Sequence, residues 1–138
     1  MYSKIMIPID LAHADKLEKA INVAVALAKT HNAELSMIGV TGEEPSVAAH
    51  NPHEYEEHLA EYVAGQSRIH GIAIKPVPRV SVDVRIDLPA LLEEEAEKDG
   101  YDLIVMASHT PGMMDHIFTS NAGHVASYSK ASVFVVRG

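Results

Sequence analysis

The stretch Asp102-Leu-Ile-Val-Met-Ala-Ser-His109 (DLIVMASH) carries the reading of the fold. Leu103–Ala107 is an apolar run without a polar break, of ordinary strand length and followed at once by polar residues. Continuous apolarity, in place of alternation, predicts a strand covered on both faces, as in a parallel sheet between two helix layers. Residues 4–9 (KIMIPI), 35–40 (LSMIGV) and 133–136 (VFVV) read the same way. Residues 80–86 (VSVDVRI) alternate apolar and polar, which predicts a half-exposed or edge strand.

Helical patterns fill the gaps between these runs. Leu17, Ile21, Ala24 and Ala28 fall on one stripe of a helix over about 14–31. Asn51-Pro52-His53-Glu54 supplies a cap residue, a proline at the first helical position and a glutamate two residues later. Tyr55, Leu59, Tyr62 and Val63 then line one face, and Gly71 is the stop. Asp87 caps a third helix to Lys98, with Leu88, Leu91, Leu92 and Ala96 inward and Gly100 after it. A last helix over 120–129 carries Ala122, Val125, Ala126 and Ser129 at helical spacing. The resulting β-α-β-α-β-α-β-α-β order predicts a single-domain α/β doubly wound sandwich with right-handed crossovers over 1–138. Residues 41–51 (TGEEPSVAAHN) read as a mobile surface loop.

A chain of 138 residues buries about 70% of the surface its unfolded form exposes and needs no staple. It has no cysteine, which excludes disulfides, thiolate metal sites and thiol chemistry. The start, MYSKIMIP, is too short an apolar run for a signal peptide, and no 18-residue apolar stretch follows. These features predict a soluble, cytoplasmic protein with no membrane insertion. The formal charge of −8, without a basic stripe, argues against nucleic acid as a partner.

In open parallel sheets ligands bind beyond the carboxyl ends of the strands, where the connections diverge. Pro8, Ile9 and Asp10, then Val40, then the segment from Met106 onward should meet there. A carboxylate at Asp10 can accept from a ribose hydroxyl or a base, or can interact with nearby helix-terminal amides. The loop 108–119 contains no lysine or arginine, and the chain lacks both GxxxxGK[ST] and GxGxxG. It offers the hydroxyls of Ser108, Thr110, Thr119 and Ser120, His109, and the amides opening the last helix, which together can hold an anion without a cation. Thr119 or Ser120 can equally cap that helix.

His53 and His58 stand five apart and diverge by roughly 140° on a helix, so no metal site is expected there. His109 and His116 are placed to help position phosphate. His13, His31, His50, His70 and His124 read as surface residues, and Glu93-Glu94-Glu95 as a solvated helix face.

Ile5-Met-Ile-Pro-Ile-Asp10, Asp102 to His109, and Ser120-Asn-Ala122 leading to Ser132-Val-Phe-Val-Val-Arg137 resemble, in this order and spacing, the universal stress protein family. The resemblance covers essentially the whole chain. It implies a five-stranded parallel sheet of order 3-2-1-4-5 and a homodimer through the C-terminal strand 132–137. It also implies adenine-nucleotide binding, ATP or AMP, with Mg²⁺ only alongside nucleotide. Carried over, Pro8, Ile9 and Asp10 match the adenine and ribose end and Val40 the adenine contact. Met106, Ala107, Thr110, Thr119, Ser120 and Asn121 match the phosphate loop, with His109 beside them. Where the family's pattern has glycines, this chain has Ala107, Thr110 and Thr119, and its loop is one residue shorter. That resembles a subgroup reading A-S-H-x-P and then S-N-A. Thr119 sets a β-branched side chain at the spot nearest the phosphates.

The resemblance implies a nucleotide-binding protein of stress response or signalling with no catalytic residues, capable at most of slow ATP hydrolysis, because the loop lacks the cations phosphoryl transfer uses. The alternative is a nucleotide-free dimeric interaction module.

Overall fold

A computed structural model describes residues 1–82, 84–107 and 130–137. Five strands, β1 (Lys4–Ile9), β2 (Glu34–Thr41), β3 (Ile74–Val80), β4 (Leu103–Ala107) and β5 (Ser132–Val136), form one all-parallel sheet of order β3-β2-β1-β4-β5. The helices are α1 (Glu18–His31), α2 (Pro52–His70) and α3 (Val84–Asp99), with a 3₁₀ segment over Leu11–Leu17 ahead of α1. The expected doubly wound α/β architecture and strand order are therefore present. The helix expected over 120–129 and the loop residues His109, Thr110, Thr119, Ser120 and Asn121 lie outside the described residues.

The unbroken apolar runs are explained by two cores, one on each face of the sheet. Ile5, Ile7, Ile9, Leu35, Met37, Leu103, Val105 and Ala107 pack with α1 and α2. Met6, Ile38, Ile104 and Met106 alternate with them and pack against Leu88, Leu92 and Ala96 of α3.

Helix α2 starts and stops where the sequence indicates. Asn51 Oδ1 accepts from the Glu54 N–H at 2.8 Å, Pro52 opens the first turn, and Gly71 closes it with φ 69°. Tyr55, Leu59 and Val63 form its buried face.

Two expectations are corrected. The third strand is Ile74–Val80, not 80–86; Val82 is exposed and α3 begins at Val84. Two prolines disguise the strand, yet its seven-pair ladder with β2 is unbroken. The Ser81 N–H donates to Thr41, so odd positions face β2 and the missing N–H groups of Pro76 and Pro78 face the sheet's free edge. Glu95 is not solvated: it is buried and bonded to Arg79, which also engages Glu94. The loop after β2 lies at the surface as expected, with residues 43–47 exposed, and it is anchored at its far end by the buried Ala49 and by His58 Nδ1, which donates to the Ala48 carbonyl at 2.8 Å.

Candidate functional site at the carboxyl ends of the strands

The rim is shaped by a proline. The Lys4 carbonyl accepts from the Asp102 N–H at 3.0 Å, so even positions of β1 direct their backbone groups at β4. The β1–β4 ladder pairs Ile5 with Leu103 and Met6 with Ile104 and stops. The next pair in register, Ile7 with Val105, would need an N–H from residue 8 to the Val105 carbonyl. Residue 8 is proline and has none. On their other sides β1 stays paired to β2 through Ile9 and β4 to β5 through Ala107. The ladder therefore has a gap only between β1 and β4, which is where the chain reverses its winding direction.

Four of the described site residues border this gap directly. Pro8 and Ile9 end β1, and Met106 and Ala107 end β4; all four are buried. Val40 sits one residue past the last β1–β2 pair, Ile9 with Gly39, and is half-buried.

Asp10 is more committed than its position alone suggests. Its Oδ1 accepts from the Ala12 N–H at 3.1 Å and caps the 3₁₀ segment, and its Oδ2 lies 2.8 Å from His13 Nδ1. Of the two sequence readings, the interaction with helix-terminal amides is the one realised within the chain. Each carboxylate oxygen can still accept a second bond. His13, read as a surface residue, is thus part of the rim; the Asp-x-x-His spacing across a helix start was its signal.

The register places Arg79 beside Val40, and Glu94 and Glu95 hold this guanidinium. Burial works against its charge, but the two carboxylates overcome that and raise its pKa. His53 and His58 are not brought together: they pair with different glutamates, Glu57 and Glu54. Among the described residues no group of three or more metal-ligating side chains occurs, and no helix is long and apolar enough to cross a membrane. A groove of about 710 Å³ bordered by Lys4, Lys29, Glu34 and Lys75 lies at the opposite, amino ends of the strands. The ligand rule for parallel sheets favours the carboxyl rim over that groove, despite its volume.

A five-stranded parallel 3-2-1-4-5 sheet with helices on both faces defines a doubly wound α/β protein. The model of the universal stress protein family matches residues 1–137, and the chain belongs to that family. Universal stress protein G of Shigella flexneri is 28% identical over 149 residues, covering 99% of this chain and all of the relative. The solved structure of UspA from Lactobacillus plantarum superposes with a TM-score of 0.74 at 20% identity, covering 99% of this chain and 98% of that one. The Archaeoglobus fulgidus protein in complex with dAMP gives 0.67 at 18% identity, with 97% of each chain covered. An Arabidopsis thaliana family member with AMP bound gives 0.62 at 10%, covering 98% of this chain and 90% of that one.

Proposed function

We propose that this chain binds an adenine nucleotide in the crevice between β1 and β4 and serves in a stress response or signalling. The observation that carries the reading is the early end of the β1–β4 ladder at Pro8, at the switch point and at no other strand pair of the sheet. The dAMP- and AMP-bound relatives supply the ligand class. Asp10 uses its remaining lone pairs on the sugar or base, and Val40 borders the adenine. Met106 and Ala107 floor the crevice, and His109, Thr110, Thr119, Ser120 and Asn121 receive the phosphates. Mg²⁺ enters only with nucleotide. Arg79 is already held by two carboxylates and residues 108–121 contain no basic side chain other than histidine, so binding rather than hydrolysis is the expected outcome.

Calorimetric titration with AMP and with Mg-ATP tests this, and saturable binding of at least one is expected. A heat trace that stays flat to millimolar nucleotide removes the reading.

A second reading, a nucleotide-free dimeric interaction module, is favoured by Asp10, both of whose oxygens already have partners within the chain. Dimerisation belongs to either reading. β5 lies at the sheet's edge and presents Phe134 and Val135 exposed on its two faces, apolar surface that a second copy would cover.

A further inference from the structure

Tyr55 is 3% exposed, in the first turn of α2, and its ring is held in the core that α1 and α2 make with the sheet. The Asn51 cap fixes that turn, with the Tyr55 N–H donating to the Asn51 carbonyl at 3.0 Å. The phenolic oxygen rests against Gly39, so close that a Cβ there would stand 2.4 Å from it. Gly39 is paired with Ile9, the residue before Asp10. Burial pushes the Tyr55 hydroxyl's ionisation up, and the charge of Asp10 pushes it further the same way, so phenol and carboxylate share one neighbourhood.

A buried phenol next to a carboxylate ordinarily donates to it. Here the Asp10 oxygens are engaged by Ala12 and His13, and no described residue hydrogen-bonds the Tyr55 hydroxyl. Unlike the Tyr101 hydroxyl, the Tyr55 hydroxyl is not fully enclosed, so a group from outside the fold can reach it and become its partner. Tyr55 offers both a donor and an acceptor, and Asp10 offers acceptors only. Together they complement a group that itself donates and accepts, as a hydroxyl does.

We propose that Tyr55 is a specificity-determining residue whose hydroxyl, together with Asp10, contacts the ribose 2′-hydroxyl of the bound nucleotide. This rests on the nucleotide reading above and adds that the site distinguishes ribose from 2′-deoxyribose.

The test compares AMP and 2′-deoxy-AMP by calorimetry on the full chain, in the wild type and in Tyr55→Phe, with thermal melts of both proteins without ligand. The wild type should prefer AMP by about ten-fold, the scale of one well-made hydrogen bond. Tyr55→Phe should lose about ten-fold in AMP affinity, hold 2′-deoxy-AMP unchanged and melt at the wild-type temperature. Equal losses for both nucleotides, or no loss for either, overturn the proposal. So does a ligand-free melting point several degrees lower, because that would show the hydroxyl bonded within the fold. A wild type that binds neither nucleotide removes the nucleotide reading itself, and the Tyr55 proposal with it, before any variant is compared.

Discussion

At Gly39 one methyl group would meet Tyr55 Oη at 2.4 Å and the two δ-carbons of Leu59 at 3.1 and 3.2 Å. The phenol ends a rigid ring and Leu59 is fully buried, so neither gives way cheaply. Gly39→Ala should cost about 1–3 kcal/mol, read as a lower urea midpoint with an unchanged slope. Pro8 acts through what it lacks. Pro8→Ala restores a donor facing Val105, and the β1–β4 ladder should extend by a pair. Nucleotide affinity should then fall about ten-fold while the fold is retained, and the new amide at residue 8 should be protected from exchange relative to an unstructured peptide. Calorimetry beside hydrogen exchange checks both halves; unchanged affinity would show that the opening owes nothing to the proline.

Among elements, the tie between α3 and β3 is the least expected. Glu95 is buried against a mostly covered Arg79, whereas Glu94 reaches the same guanidinium from a largely exposed position. Removing a buried partner strands a charge, and removing a solvated one does not. Glu95→Ala should therefore lose about 2–4 kcal/mol and Glu94→Ala less than about 0.5 kcal/mol in paired urea melts. Similar losses for the two would show that burial is not what distinguishes them. This pair also shows what a sequence withholds. Helix α2 could be read because its cap, proline and stop act locally, through Asn51, Pro52 and Gly71. Strand β3 could not, because a proline's cost depends on which way its absent N–H would have pointed, and that is a property of the neighbouring strand. Pro8, Ile9, Asp10, Val40, Met106 and Ala107 were placed at the rim by strand ends alone. The contacts of His13 with Asp10 and of Tyr55 with Gly39 could not be read, because one needed the Asp10 cap and the other the packing of α2 on the sheet.

For the molecule as a whole, Asp102 joins the chain's beginning to its middle. It accepts from the Ser3 N–H and Oγ and from the Lys4 N–H at 2.9–3.0 Å. Burial alone would raise its pKa, but these bonds outweigh burial and hold it below the ordinary value. A carboxylate depressed in the folded state adds stability above its unfolded pKa, about 4, and that contribution is lost as pH falls through the folded value. Asp102→Asn should be about 1–2 kcal/mol less stable than wild type at pH 7, with the gap narrowing toward pH 3. Urea midpoints at the two pH values test the sign; a gap that widens on acidification contradicts it.

Pro76 and Pro78 also bear on how copies of the chain could associate. One flank of the sheet has lost hydrogen-bond donors to these rings, while the flank at β5 keeps all of its own. Strand addition is open along one side and hindered along the other, so any edge pairing of this chain would be directed to β5 and growth past a pair would be opposed at β3.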